Sequence, residues 1–170
     1  MTQPSSPSDK RALLAQLLQQ ERRVYNYPLS YGQQALWFIY QNAPASAAYN
    51  MARTLELQGN LKSAAFPPAL QTLVNRHPAL RTTIELVNGE LVQTVQPTGT
   101  YSWNEHQALE WSAQQLRSAL KTVYEQPFDL TRGPVLRANL FQVAPQRHFL
   151  LLKGVLKAPF QAKRRNIMLI

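Results

Sequence analysis

Ser30-Tyr-Gly-Gln-Gln-Ala-Leu-Trp37 is the stretch on which the fold turns. It follows Tyr27-Pro28-Leu29. Pro28 stops any helix running in from upstream, and Ser30 offers its hydroxyl to the free amides of a first helical turn. From there Leu29, Gln33, Leu36, Trp37 and Tyr40 fall on one helical face. Alone, this is an ordinary amphipathic helix anchored by its tryptophan. The segments on either side give it meaning.

Upstream, residues 1–9 are rich in Ser and Pro and are expected to be disordered. Lys10 to Val24 reads as a leader helix with a narrow stripe of Leu13, Leu14, Leu17 and Leu18, expected to dock on the domain or on a preceding protein. Downstream, Tyr49 to Gln58 alternates as a half-buried strand, with Tyr49, Met51, Leu55 and Leu57 on its apolar side. Leu61 to Asn75 is a helical pattern with Leu61, Ala65, Leu70, Leu73 and Val74 inward, and Pro67-Pro68 makes it start or kink there. Pro78 pushes His77 out of the helical region and ends that helix.

Thr82–Val87 and Glu90–Val95 flank Asn88-Gly89, a strong hairpin signal. Tyr101 to Glu105 reads as a further short strand. The steps Leu109, Ala113, Leu116, Leu120 and Val123 predict a helix over residues 107–125, stopped by Pro127, with His106 solvated at its start. After a Phe128–Pro134 loop, Val135–Val143 alternates, and His148-Phe-Leu-Leu-Leu152 is an apolar run of central-strand type. The order predicts an α+β fold, helices packed on a mostly antiparallel sheet.

The 170 residues suffice for one domain, with 45% hydrophobic and 16% charged residues, an ordinary globular composition. No run of apolar residues is long enough for a membrane span, and the N-terminus has no basic segment with an apolar core behind it, so no secretory signal is expected. The lack of Cys removes disulfides and thiolate chemistry, and fits a cytoplasmic protein. Net charge is +9, but Lys153, Lys157, Lys163, Arg164 and Arg165, with no acid among them, supply +5 of it. The body is therefore only mildly basic, and neither nucleic acid nor membrane is expected as a partner.

Together these segments resemble the N-terminal lobe of the condensation domain of non-ribosomal peptide synthetases. Ser30, Gln33, Leu36 and Trp37 look like that family's opening Ser-x-Ala-Gln-x-x-Leu-Trp motif, with Gly32 where Ala is usual. Arg76, His77, Leu80, Arg81 and Thr82 match its Arg-His-x-x-Leu-Arg-Thr motif. Phe128, Asp129, Leu130, Gly133, Pro134, Leu136 and Arg137 look like its Phe-Asp-Leu-x-x-Gly-Pro-Leu-x-Arg stretch, and Ala48-Tyr49-Asn50 also fits. Each motif alone is weak; three in order are specific. The resemblance covers roughly residues 25–152.

The resemblance implies half of a chloramphenicol-acetyltransferase-like fold of two lobes around a tunnel. Carrier proteins would bring thioesters on phosphopantetheine to the tunnel's two ends, an acceptor amine would attack the donor thioester, and no cofactor would be bound directly. Carrier proteins and other synthetase domains are the implied partners. That chemistry needs a His-His-x-x-x-Asp-Gly motif directly after the strand ending at Leu152. Here no His follows His148 and no acid follows Asp129. Residues 153–170 read instead as a basic tail, an altered reading frame or a truncated gene. No catalytic residue is assigned, and the motif residues are taken as structural. A lobe cut at its central strand should expose an edge and aggregate.

His77 is expected to be packed, not catalytic. Arg76 and Arg81 suggest a structural ion pair. The three His are spread too far along the chain to suggest a metal site. Two other functions stay open: a lobe docking a carrier protein or synthetase in trans, and a small basic nucleic-acid binder.

Overall fold

The computed structural model of the chain describes residues 10–11 and 24–155. Most of the expected leader helix, the expected disordered N-terminus and all but the first three residues of the expected tail lie outside these. Within 24–155, seven strands and three α-helices follow in order: β1 (Tyr25–Pro28), α1 (Tyr31–Asn42), β2 (Asn50–Gln58), α2 (Phe66–Arg76), β3 (Thr82–Val87), β4 (Glu90–Val95), β5 (Ser102–Gln107), α3 (Ala113–Glu125), β6 (Leu136–Ala144) and β7 (Arg147–Val155). Single 3-10 turns precede α2 and β3.

The strands form two sheets where the sequence suggested one. The smaller has the order β1-β4-β3 and the larger β2-β7-β6-β5. Among the described strands only β5 and β6 pair in parallel. The Ile84 amide of β3 donates to Leu130 O at 2.9 Å, which ties the small sheet to the loop before β6. The strand β1 was not foreseen. It is four residues long, exposed throughout, and paired with β4 from Tyr25↔Val95 to Pro28↔Val92.

Side-chain alternation explains the packing of the larger sheet. Ala138 and Leu140 of β6, with Leu150 of β7, meet Leu70 and Val74 of α2 on one face. Phe141 and Leu151 meet Leu116, Leu120 and Val123 of α3 on the other. Strands β6 and β7 are thus covered on both faces, which their nearly continuous apolar runs require. A third cluster, Leu29, Tyr49, Ile84, Phe128 and Leu130, joins α1 to the small sheet and the Phe128 loop.

Local signals hold in most elements. Ser30 Oγ accepts from the Gln33 amide at 3.3 Å and Gln33 Oε1 accepts from the Ser30 amide at 2.8 Å, a reciprocal capping box. Pro67 and Pro68 occupy the first turn of α2, where their missing N–H groups cost nothing. Asn88 (φ 52°) and Gly89 (φ 84°) both sit in the left-handed region that a two-residue hairpin of this twist demands.

Four expectations are corrected. Helix α3 begins at Ala113, capped by Ser112, because Gln107 ends β5 and residues 109–110 form a turn. His106 lies in β5, not at a solvated helix start: its ring stacks on Phe141 with centroids 4.4 Å apart, and Nε2 meets Asn139 Oδ1 at 3.0 Å. Leu73 and Met51, placed inward by periodicity, are 41% and 56% exposed. The large sheet is edged by β2 and β5, whereas β7 is paired on both sides, so no edge is left open at the central strand.

Ser30→Ala should cost about 1 kcal/mol of lobe stability by loss of the cap. Gln33→Ala should cost more, about 2 kcal/mol, because Gln33 Nε2 also donates to Gln93 Oε1 at 2.9 Å and so links α1 to β4. Urea titration of both variants checks the order.

Candidate functional site

The motif segments, far apart in sequence, meet at the C-terminal end of β7. Gln33 and Leu36 of α1, Thr82 and Ile84 of β3, Leu130 and Val135 of the loop before β6, and Val155 at the end of β7 line one narrow cleft. Its volume is about 10 Å³, room for one water at most. Trp37 and Tyr40 pack beside it, with ring centroids 5.2 Å apart, and Tyr40 in turn meets buried Tyr49 edge-on at 6.4 Å. The platform from which the chain leaves β7 therefore includes the motif residues Gln33, Leu36, Thr82 and Leu130.

The loop before β6 is held by its own aspartate. Asp129 Oδ1 accepts from the Thr131 amide at 2.8 Å, Thr131 Oγ1 at 2.6 Å and the Arg132 amide at 3.1 Å. Tyr40 Oη donates to the same oxygen across a longer 3.4 Å. Burial pushes the Asp129 carboxyl up, but these hydrogen bonds from Thr131, Arg132 and Tyr40 outweigh it and hold the group below the usual carboxylate range. The turn closes where the Gly133 amide donates to Asp129 O at 2.9 Å. Gly133 has φ 74°, a conformation that a side chain would strain.

Phe128 lies fully inside, between two cations. The Arg137 guanidinium is 4.4 Å from its ring centroid and Lys153 Nζ is 4.8 Å away. Both cations also bind the chain around α3's end. Lys153 Nζ donates to Val123 O at 3.0 Å and to Gln126 O. Arg137 Nη2 donates to Pro127 O at 2.9 Å. Asn50 Nδ2, from β2, donates to Tyr124 O at 2.8 Å. The exposed carbonyls of the helix terminus are thus taken up by side chains from β2 and β7. Burial, and then repulsion by Arg137, lower the Lys153 amine to about 8.

Other motif residues go elsewhere. Leu80 packs against the α2 cluster, not the cleft. Thr82, which lines the cleft, also donates from its Oγ1 to Pro78 O at 2.7 Å and is buried. Arg76 and His77 are exposed at the end of α2, so His77 is not packed as expected. The expected ion pair of Arg76 or Arg81 is not among the salt bridges of the described residues; Arg81 Nη1 instead donates to the backbone at Gln96 O. Among the described residues no three His, Asp or Glu side chains come close enough to hold a metal.

Sequence reasoning placed Tyr40 on the face of Gln33, Leu36 and Trp37 but missed Lys153 as part of this assembly. Lys153 reads as the first residue of a basic tail, yet β7 continues through it to Val155 and buries it to 1% exposure. The only available signal was alternation, which puts Leu151 and Lys153 on one face of β7.

An α+β lobe with two sheets, helices on both faces of the larger one, and motif segments gathered at the end of its central strand is the front part of a chloramphenicol-acetyltransferase-like fold. The condensation-domain family profile matches residues 23–154. The chain is 38% identical over 145 residues to a linear gramicidin synthase of Brevibacillus parabrevis, covering 83% of this chain and 2% of that protein. It is 42% identical over 127 residues to a plipastatin synthase of Bacillus subtilis (strain 168), covering 74% and 5%. Among solved structures it superposes on the starter condensation domain of rhizomide synthetase with a TM-score of 0.70 at 26% identity, covering 77% of this chain and 32% of that one. A four-domain nonribosomal peptide synthetase shares the fold at TM-score 0.69 and 20% identity. The chain belongs to the condensation-domain family of non-ribosomal peptide synthetases and spans about a third of a solved domain of that kind.

Proposed function

We propose that this chain is the platform part of a condensation domain and forms no amide bond by itself. The sequence after β7 carries the reading. The family chemistry needs His-His-x-x-x-Asp-Gly after this strand, and no His follows His148 and no acid follows Asp129. An acceptor amine there would have no imidazole to position it or take its proton. Gln33 of α1, Thr82 of β3 and Asp129 of the Phe128 loop are engaged in bonds within the lobe, which supports a structural role for these motif residues.

The reaction class of the family is transfer of an acyl or peptidyl group from one carrier-borne phosphopantetheine thioester to the amine on another. Carrier proteins and neighbouring synthetase domains are the partners this implies. A cytoplasmic setting agrees with that chemistry, and no helix among the described residues is long and apolar enough to cross a membrane. Nucleic-acid binding loses support because one of the five late cations, Lys153, is inside the lobe and not on its surface.

The test is a condensation assay on purified carrier proteins loaded with donor and acceptor thioesters. No acceptor-dependent product above background is expected from this chain. Product formation would overturn the reading.

A further inference from the structure

The large sheet ends on β2 and β5, and the small sheet on β1 and β3. Three of these edges are short or covered. β1 has four residues and closes on Pro28. The Ile84 amide of β3 is taken by Leu130 O. β5 offers six residues. β2 is different. It runs for nine residues, Asn50–Gln58, pairs with β7 at every one without a bulge, and contains no Pro. Among the described residues no backbone group bonds to it from its free side. Met51, Ala52, Arg53 and Thr54 are exposed in succession, so neither face of the strand is covered there. A long edge without a guard is a template for another strand.

Symmetry restricts how a second copy can pair with it. Two copies of one strand, antiparallel and side by side, are related by a twofold axis normal to the sheet. Such an axis keeps each side chain on its own face, so it must pass between a residue and its own counterpart. A strand with an odd number of residues then overlaps itself completely, and β2 has nine. With Thr54 on the axis, Asn50 meets Gln58 of the second copy, Met51 meets Leu57, Ala52 meets Glu56 and Arg53 meets Leu55.

The side chains suit this register. Met51, 56% exposed in the lobe, gains an apolar neighbour in Leu57 of the second copy. Thr54 faces Thr54, a favourable cross-strand pair. The two charges of β2, Arg53 and Glu56, lie opposite no like charge. A shift of two residues one way sets Arg53 against Arg53, and the same shift the other way leaves Asn50 and Met51 without partners.

We propose that this chain forms a twofold dimer through β2, joining two large sheets into one continuous sheet with Thr54 on the axis. A single strand pair buries less than the ~1,600 Å² of a standard interface, so the dimer is weak and depends on concentration. The proposal does not depend on the condensation reading.

The chain has no Cys, so one introduced thiol reports the register. Residues directly opposite each other in an antiparallel pair lie within disulfide reach. With oxidised glutathione as oxidant, Thr54→Cys should form a disulfide-linked dimer at least tenfold faster than Ser118→Cys, at an exposed position of α3. Sedimentation equilibrium of the parent chain should show monomer and dimer in exchange. Thr54→Lys, which sets two like charges together at an exposed position, should weaken the dimer about tenfold. A parent chain that stays monomeric up to millimolar concentration, with its edge idle or covered by another segment, would overturn the proposal. So would equal cross-linking of the two cysteine variants, or a dimer that Thr54→Lys leaves intact.

Discussion

Phe128→Ala should leave the lobe largely unfolded or close to it at room temperature. The ring is 1% exposed and belongs to the cluster that joins α1, β3 and the loop before β6. Truncating a buried phenylalanine costs about 3–5 kcal/mol, transfer and cavity together. Each flanking cation adds about 1 kcal/mol of ring attraction that alanine cannot supply. Lys153 would then keep its burial and lose a partner. Against a total stability of roughly 5–15 kcal/mol, such a loss removes much of the margin. Phe128→Leu separates the two contributions: it restores most of the volume but not the π face, and should cost about 2 kcal/mol. Thermal melts of both variants check this. An alanine variant melting within about 3 °C of the parent would contradict the account, since that shift corresponds to only ~1 kcal/mol.

Stability should rise as pH is raised from about 8 toward 10, against the habit of most proteins. The cause is Lys153, whose amine burial lowers to about 8 from 10.5. Below pH 8 the lysine is charged in both the folded and the unfolded chain, and the folded state carries the cost of keeping that charge inside. Between about 8 and 10.5 the folded lysine has released its proton while the unfolded one still holds it. The unfolded state then binds more protons, so unfolding becomes harder as pH rises. Over the whole window the gain is about 3 kcal/mol. A neutral amine keeps two N–H donors, enough for Val123 O and Gln126 O. Tyr40 and Tyr49 work the other way. Burial raises both phenols above 10, helped by Asp129 at Tyr40 and by Tyr40 at Tyr49. Their contribution is lost only as pH climbs past 10, so the rise should be read between pH 7.5 and 9.5. Lys153→Met should flatten it. An unchanged slope in that variant would assign the effect to another group.

The elements that were legible in the sequence are those whose cause is local. Ser30 with Gln33, Pro67-Pro68 and Asn88-Gly89 each act within a few residues, and each sits where its chemistry places it. What was not legible depends on distant partners. Tyr25–Pro28 is a strand only because β4 lies beside it, and four residues carry no alternation to count. The split into two sheets follows from pairing, which strand propensity does not state. The helix expected from residue 107 failed because Leu109 happens to continue the spacing of Leu116 and Leu120 backward; the capping serine at 112 was the better signal.

At the site, the motif segments were readable as segments, but not their meeting at the end of β7. Lys153 was the least readable residue of all. A lysine ahead of four more basic residues looks solvated, and only the register Ala52↔Lys153 and Arg137↔Lys153 places it beneath the end of α3.

The place of β7 also governs how the lobe can form as it is made. Its partner β2 lies far upstream, with Asn50 opposite Val155 and Gln58 opposite Arg147. All the other described strands and helices of 24–155 precede it in synthesis. The hairpin β3–β4 can close while the chain is still emerging from the ribosome, because its contacts are local. The large sheet cannot, since β7 is the last described strand to arrive and its pairing with β2 spans about a hundred residues, a separation that slows folding. Until then β2 and β6 wait on either side of an empty lane, and nascent chains halted before β7 should be the ones that associate with chaperones.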